Sequence, residues 1–309
     1  MRTRIACLLA AGLLGCGAEP GVMGPLELCE GQPCLADVLQ APDRLAGSER
    51  QIAVEEPLPG PHLRVMTYNI RFGGELGWQL DDIASVIRAQ QVDIVGLQEV
   101  DHLQVRSGMH REAEELAEAT GLVHQYYGCA LHCGDTLPGR YGLAILSRHE
   151  LVEREKVFLP NTPDGDWMME GGPEPRVLLC GRVAVEQLPV RFCVTHLSNG
   201  ADQGAAATRQ HQAEYILEQL ADELPEGRVV LVGDLNESPS WAAVSRLRGV
   251  LEDSLDEVGD PGLTIPADTP SVRFDYILHG AGSATLAASV PSTTASDHRP
   301  VVAELELAR

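Results

Sequence analysis

From residue 62 onward, the chain alternates short apolar runs with polar segments. Segments with helical spacing of apolar residues lie between some of these runs. They are the stretch that begins at Leu80, REAEELAEAT before Gly121, and QGAAATRQHQAEYILEQLADEL. The apolar runs themselves number eight and have the length and the branched or aromatic residues typical of β-strands: HLRVMTYNI, VDIVGLQEV, YGLAILSR, VLLCGRVAV, VRFCVTHL, RVVLVGDLN, FDYILHG and VVAELEL. The pattern predicts an α/β fold.

The connections between the predicted strands indicate how the sheets are built. In RVLLCGRVAVEQLPVRFCVTHL, two strands flank a turn near Glu186 to Pro189, which is typical of an antiparallel hairpin. Other strands are separated by helices, as in parallel units. This mixture favours an α/β sandwich with mixed sheets over a purely parallel, doubly wound sheet.

The residues before the predicted domain have a different character. Residues 1–15 combine two arginines with an apolar run too short to span a bilayer, which predicts an export signal. LLGC, ending at Cys16, resembles a bacterial lipoprotein box, which implies cleavage before Cys16 and a lipid on its thiol; an ordinary cleaved signal peptide is the alternative. Residues 16–61 lack a sustained apolar period and predict a tether. We therefore expect residues 62–309 to form an exported domain anchored at the bacterial cell envelope, in the periplasm or at the outer membrane.

Cysteine usage agrees with export. Two of the eight cysteines fall within or directly after the signal segment, and the remaining even number suggests disulfides. The predicted hairpin sets its two cysteines opposite each other. Zinc binding is the alternative, although the spacings lack the paired CxxC knuckles of a structural zinc site. The predicted pairs are Cys29 with Cys34, Cys129 with Cys133, and Cys180 with Cys193.

The charge of the chain bears on its partners. Lysine and arginine number 23 against 45 aspartates and glutamates, and removal of the two signal arginines leaves 21 − 45 = −24. Proteins that bind polyanions tightly normally carry a basic face. High-affinity DNA binding is therefore disfavoured, whereas a weakly binding nuclease, in which bound cations offset the repulsion, stays open.

Several predicted strands end in polar residues that a core would exclude. One such residue is most often a helix cap or a satisfied buried group, and an adjacent Asp-His pair before the last strand is compatible with a solvated turn. So many together indicate a site, because charges beside apolar runs are costly unless they are paired or bound to a metal. These residues are Asn69, Glu99, His196, Asp234, Asn236, Asp275, Asp297 and His298.

The motifs around these residues occur in a fixed order, TYNI, GLQEVD, THL, GDLN, DYI and SDH. In this order they resemble the endonuclease/exonuclease/phosphatase superfamily, which includes pancreatic-type deoxyribonuclease, abasic-site endonucleases, neutral sphingomyelinases and inositol polyphosphate 5-phosphatases. The resemblance implies a four-layered α/β sandwich, with two packed mixed β-sheets flanked by helices. It also implies hydrolysis of phosphoester bonds with Mg²⁺ or Mn²⁺.

The resemblance assigns roles to the metal ligands and to the residues around the attacking water. Asn69 and Glu99 match metal ligands, and Asp297 is expected close to the same ion. Hard oxygen donors of this kind suit Mg²⁺ and Mn²⁺. Asp234 matches the carboxylate that orients or deprotonates the water, and Asn236 matches an amide donor to the phosphate.

The remaining roles concern the phosphate and the leaving group. His298 matches a histidine that contacts the phosphate and is oriented by Asp275. His196 lies where some family members place a general acid and others a tyrosine. Arg106 and Arg176 stand in predicted loops, where arginine is most often solvated, and we place both outside the catalytic set.

These observations predict a monomeric, exported phosphoesterase that depends on a divalent metal and acts on a small or lipid-derived substrate. A secreted nuclease for DNA or RNA is the alternative within catalysis. A lipoprotein that uses the same scaffold only for binding is the alternative outside it. A scaffold without catalysis has no chemical need for Glu99, Asp234, Asn236 and His298 together, so the complete set favours an enzyme.

Overall fold

The computed structural model describes residues 60–73, 80–134, 139–161 and 174–309. In these ranges the chain forms two β-sheets of six strands each. The first sheet contains β1 (His62–Asn69), β2 (Ile94–His102), β3 (His124–Leu131), β4 (Arg140–Ser147), β11 (Ala284–Ser289) and β12 (Val301–Glu306). The second contains β5 (Val152–Phe158), β6 (Val177–Val185), β7 (Leu188–His196), β8 (Val229–Asp234), β9 (Glu252–Asp253) and β10 (Asp275–His279).

The two sheets share one pattern of strand pairing. Their orders are β11-β12-β1-β2-β4-β3 and β5-β6-β7-β8-β10-β9. In each sheet the two central strands, β1 with β2 and β7 with β8, run parallel, and all other pairs are antiparallel. Both sheets are therefore mixed, and each brings the carboxyl ends of two neighbouring strands to one edge.

Helices cover the outer faces of both sheets. Gly121 ends the second helix with φ +76°, which glycine adopts without a steric penalty. The third helix begins after Asp202, whose carboxylate accepts a hydrogen bond of 2.9 Å from the backbone N–H of Ala205. The helices are α1 (Leu80–Gln90), α2 (Glu112–Thr120), α3 (Gln203–Leu220), α4 (Ala242–Arg248) and α5 (Ser254–Glu257).

Three apolar clusters separate the layers. One lies between the two sheets and includes Val65, Val194 and Val232. A second joins the first sheet to α1 and α2, and a third joins the second sheet to α3 and α4. The order of layers is therefore helix, sheet, sheet, helix, and the predicted four-layered α/β sandwich is confirmed.

The predicted hairpin and two predicted disulfides are also confirmed. Glu186 and Gln187, with φ +47° and +76°, form the two-residue turn between β6 and β7. Cys180 lies opposite Cys193 in the strand register, and the two are bonded. Cys129 is bonded to Cys133. The predicted signal segment, the tether as far as residue 59, and the Cys29–Cys34 pair lie outside the described residues.

Within the described ranges, every helix is too short or too polar to cross a membrane.

Gly96 on β2 allows the sheets to approach each other closely. A Cβ atom at this position would lie 2.5 Å from Val232 Cγ2 and 2.9 Å from Val194 Cβ, both on the opposite sheet. Gly96→Ala therefore overpacks the core between the sheets, and we expect it to lower the free energy of unfolding by about 1–3 kcal/mol. Urea denaturation measures this change.

Gly249→Ala serves as the matched control, because its added Cβ would meet only ordinary contacts of 3.4 Å and 3.5 Å. We expect this variant to stay within about 0.5 kcal/mol of the original chain. Equal destabilisation by the two substitutions would show that the space at Gly96 is unimportant.

Candidate active site

The predicted site residues converge where the carboxyl ends of the two parallel strand pairs meet. Asn69 ends β1, while His196 and Asp234 end β7 and β8. Asp275 begins β10, which is antiparallel to β8, so Asp275 lies opposite Asp234 in the register. His298 lies in the segment that leads into β12. The topology thus brings residues from both sheets to one edge of the sandwich.

Glu99 reaches this edge through an irregularity in β2. The pairing of β2 with β4 shifts register between Leu97 and Val100, and Glu99 between them has φ +57°. A bulge of this kind interrupts the strict alternation of side chains along a strand. Left-handed backbone is costly for a residue with a side chain, and such conformations concentrate at functional sites.

The side chain of Asn69 links the two sheets. Its Nδ2 donates to Glu99 Oε1 at 3.2 Å and to Asp234 Oδ2 at 3.0 Å. Its Oδ1 accepts from the backbone N–H of Arg71 at 3.1 Å. Asn69 is fully buried, so each amide hydrogen bond forms in a low dielectric and replaces a contact with water. This amide therefore fixes the distance between the two carboxylates.

His298 is held between two carboxylates. Its Nδ1 donates to Asp275 Oδ2 at 2.8 Å, and its Nε2 lies 3.7 Å from Asp234 Oδ2. Burial alone would lower the pKa of His298, but the charges of Asp275 and Asp234 outweigh it and raise that pKa to about 10. The imidazole is therefore cationic at neutral pH. Burial raises the pKa of Asp234, and the His298 cation opposes this shift.

His196 is in the opposite electrostatic situation. Its Nδ1 lies 3.1 Å from Arg176 Nη1, and its Nε2 lies 3.0 Å from Asn236 Nδ2, so a donor faces each ring nitrogen. Asp234 Oδ2 lies 3.4 Å from Nε2, so the neutral ring can carry its proton on Nε2, and protonation would add an N–H at Nδ1 against the Arg176 guanidinium. Burial, followed by the charges of Arg176 and His298, lowers the pKa of His196 well below its ordinary value. His196 is therefore neutral, and its Nδ1 is the natural acceptor for the guanidinium.

Arg176 is a site residue that the sequence analysis left outside the catalytic set. Its side chain is buried and contacts Glu174 Oε1 at 3.2 Å as well as His196, and its Nε has no hydrogen-bond partner among the described residues. Arg176 directly precedes β6, which runs antiparallel to β7, so it lies beside the end of β7. A charged residue immediately before an apolar strand is the signal that would have identified it.

Arg106, the other arginine placed outside the catalytic set, lies in the same site as Arg176 and is held there by several contacts. Its guanidinium donates to both carboxylate oxygens of Asp101, at 2.8 Å and 2.7 Å. It lies over the rings of Phe72 and Tyr141, 4.3 Å and 5.2 Å from their centroids. Nothing in the local sequence marks this position, because the aromatic rings come from two distant segments.

A cavity of about 470 Å³ opens above these side chains. Three predicted residues, Asn69, Asp275 and Asp297, are absent from its lining. Asn69 and Asp275 are fully buried beneath it, while the half-exposed Asp297 pairs with Arg71 at 3.1 Å. The cavity is lined by Glu99, Gln104, Arg106, Leu131, His132, Tyr141, Glu174, Arg176, His196, Asn199, Asp234, Asn236 and His298.

This constellation lies within a segment that matches a known family. Residues 66–298 match the model of the Endonuclease/Exonuclease/phosphatase family. The chain belongs to this family. No curated protein sequence matches the chain closely enough to be counted as a relative.

Solved structures of the endonuclease/exonuclease/phosphatase family have the same fold. The protein of this family from Beutenbergia cavernae is 26% identical, with a TM-score of 0.61 over 80% of this chain and 72% of that one. A family protein from Bacteroides thetaiotaomicron is 19% identical, with a TM-score of 0.64 over 81% and 99% of the two chains. The mannosyl-6-phosphatase Bt3783 of the same bacterium is 20% identical, with a TM-score of 0.61 over 79% and 99%.

Enzymes of the endonuclease/exonuclease/phosphatase family hydrolyse phosphoesters and typically depend on a divalent metal, and two groups of residues fit an ion. Ligand atoms of Asp234, Asp275 and His298 lie within 4.8 Å of one another. Glu99 forms the second site with Asn69 beside it, although Asn69 turns its Nδ2 toward Glu99 and its Oδ1, the atom that would bind a metal, accepts from the backbone N–H of Arg71. Burial raises the pKa of Glu99, and its Asn69 hydrogen bond and the charges of Arg176 and His298 only partly oppose this, so no cation of the described chain fully offsets its buried negative charge. A divalent ion would supply that charge.

Proposed function

We propose that this protein is an exported phosphoesterase that requires a divalent metal and acts on a small or lipid-derived phosphoester. The observation that carries the proposal is the position of Asp234. Its carboxylate lies 3.0 Å from the Asn69 amide, 3.4 Å from His196 Nε2 and 3.7 Å from His298 Nε2. A buried carboxylate held by an amide and beside a cationic donor for the phosphate is the arrangement that hydrolysis by an activated water requires.

Of the two groups that fit an ion, we favour Glu99 and Asn69, with Asp297 nearby. In the other group, the His298 cation already compensates the two carboxylates, and its Nδ1–H is committed to Asp275. Glu99 has no comparable partner in the described chain. A metal bound there would polarise a phosphoryl oxygen and stabilise negative charge on the leaving oxygen.

The other residues then serve the phosphate and the water. Asp234 orients the water and accepts its proton, and the cationic His298, held by Asp275, donates to a phosphate oxygen. Asn236 Nδ2 donates one hydrogen to the carbonyl oxygen of Leu197 at 3.1 Å, and its other hydrogen offers a second donor to the phosphate. We assign His196 a positioning role, because burial and the Arg176 guanidinium at its Nδ1 disfavour the imidazolium that a general acid near neutral pH would need.

The class of substrate follows from charge. The net charge of −22 opposes a long polyanion, whereas a small or lipid phosphoester meets the local field of the cavity. There, Arg106, Arg176 and His298 stand beside the carboxylates of Glu99, Glu174 and Asp234. A mannosyl-6-phosphatase on this fold is one example of a small substrate. A nuclease that uses bound cations to offset repulsion is the second candidate, and it is supported by the breadth of the family name.

A substrate panel with added metal tests this proposal. The panel contains a phosphodiester, a phosphomonoester, sphingomyelin, inositol phosphates and plasmid DNA, each with Mg²⁺ and with Mn²⁺. We expect turnover of at least one small or lipid substrate and weak or no cleavage of DNA. Preferential cleavage of DNA would establish the nuclease, and metal binding without turnover of any phosphoester would establish a non-catalytic scaffold.

We also propose that the mature chain begins at Cys16 and is anchored by lipid, with residence at the outer membrane favoured. The support is the apolar run that ends in LLGC and the Gly17 that follows it in place of Asp, which by resemblance to bacterial lipoproteins removes a common inner-membrane retention signal. Cys16→Ser is expected to release soluble protein or to block processing, as seen by membrane fractionation and mass spectrometry. An unmodified N-terminus in the soluble fraction of the original chain would contradict the anchor.

A further inference from the structure

A second cavity of about 490 Å³ adjoins the one that holds the site residues. Asn236 lines both cavities, so it stands at their junction. A phosphate that accepts from the Asn236 amide would therefore have its ester substituent directed to one cavity or the other. The second cavity is large enough for a substituent of several ring or chain atoms.

The described residues that line this second cavity carry no net charge. Trp241, Val272 and Phe274 supply apolar surface. Arg209 and Glu237 also line it, but they form a fully buried ion pair of 2.9 Å whose charges cancel. The first cavity, in contrast, is lined by several ionisable side chains, among them Glu99, Asp234 and His298. The second cavity therefore suits an uncharged group and excludes a second phosphate.

Trp241 is unusual for its exposure. It leaves 48% of its surface in contact with solvent beside two other apolar residues of the cavity wall. A large exposed aromatic side chain at the edge of a cavity is typical of a binding site, because its burial by a ligand releases the water on its faces. Two aromatic side chains, Trp241 and Phe274, provide stacking and edge contacts that favour an aromatic ring over an alkyl chain.

Hydrogen bonds within the chain hold the walls of the second cavity in place. Glu237 Oε2 accepts from the N–H of Ala243 at 2.9 Å, which fixes the start of α4 next to Trp241. The Arg209 Nη1 donates to the carbonyl oxygens of Ser198 and Gly200, at 2.9 Å each. Phe274 directly precedes Asp275, so the apolar wall and the His298 partner belong to one segment. Distances between this wall and the phosphate-binding side chains are thus fixed by the backbone.

We propose that this cavity binds an uncharged aromatic ring in the alcohol part of the substrate. The inference rests on the proposed function, since it assumes that the phosphate lies at Asn236, and it narrows the substrate to phosphoesters with an aromatic ring close to phosphorus. Trp241 is then a residue that determines specificity and takes no part in the chemistry.

The test uses phosphonates, whose P–C bond resists hydrolysis. Isothermal titration of the full chain with Mg²⁺ compares benzylphosphonate, cyclohexylmethylphosphonate and methylphosphonate. We expect benzylphosphonate to bind about 10-fold or more tightly than methylphosphonate, and more tightly than its saturated analogue.

Trp241→Ala should remove this preference and leave the affinity for methylphosphonate unchanged. Trp241→Phe should retain most of the preference for benzylphosphonate. Leu286→Ala, at a residue of similar exposure (45%) on the edge strand β11, is the control and should change nothing.

Each outcome separates the inference from the proposed function. Equal affinity for benzylphosphonate and methylphosphonate, with phosphoester turnover intact, overturns the ring site alone. Equal affinity for the benzyl and cyclohexylmethyl compounds overturns the preference for an aromatic ring. If methylphosphonate fails to bind and no phosphoester is hydrolysed, the proposed function fails and the ring site fails with it. A ring preference without hydrolysis would retain the ring site and reject the enzyme.

Discussion

Asp234→Asn is expected to lower kcat on the order of 10²- to 10⁴-fold with little change in KM. The amide preserves the shape of the side chain and its bond with Asn69, but it is a far weaker base than the carboxylate. An interaction needed mainly in the transition state affects turnover more than ground-state binding. Steady-state kinetics on the substrate that responds in the panel measures both constants.

His298→Ala removes the cation beside Asp234 and should lower kcat to a similar extent. Because both side chains serve one step, the double variant should lose much less than the product of the two single losses. His62→Ala is the control, since His62 is an exposed histidine at the start of β1, the strand end away from Asn69. Near-normal kcat in the single variants would reject the assigned roles.

Removal of divalent metal is expected to abolish turnover, and Mg²⁺ or Mn²⁺ should restore it. The reason is the buried carboxylate of Glu99, whose pKa is raised by burial and only partly lowered by the Asn69 hydrogen bond and by the charges of Arg176 and His298. Glu99→Gln keeps the size of the side chain and removes its charge. We expect it to raise the metal concentration for half-maximal activity at least about 10-fold. Calorimetric titration with Mn²⁺ gives the same affinity without any substrate.

Asp297→Asn provides a graded comparison for the Glu99 variant. Asp297 is partly exposed and is already paired with Arg71, so its loss should weaken metal binding less. Thermal unfolding of both variants checks that the fold survives. Full activity of the original chain in excess chelator would show that hydrolysis needs no metal.

The strands that could be predicted are those buried in the centre of each sheet. All eight predicted runs correspond to strands, and the four strands that the prediction missed, β3, β5, β9 and β11, are the four edges of the two sheets. An edge strand has one neighbour and exposes much of its surface, so its sequence need not be apolar. VEREKVF in β5 is largely exposed and lacks any apolar run. Its conformation is set by pairing with β6, which no local pattern reveals.

The sequence predicts those residues of the candidate site that lie at the ends of apolar strands. Asn69, His196 and Asp234 were identified because a polar residue ends an apolar run. Arg106 was left out because its contacts with Phe72 and Tyr141 depend on segments that meet only in the folded chain. The sequence also does not reveal that the pKa of His196 is lowered while that of His298 is raised. Burial lowers both pKa values, and the difference arises from Arg176 beside one ring and from Asp275 beside the other.

The hydrogen bond between Asn69 and Asp234 has a consequence for folding. It joins residues 165 positions apart and closes only when both sheets have formed and docked. Contacts between such distant parts of a chain form slowly, because the loop between them must be closed at a cost in entropy. Catalytic competence should therefore return with the slowest refolding phase, after the secondary structure detected by circular dichroism.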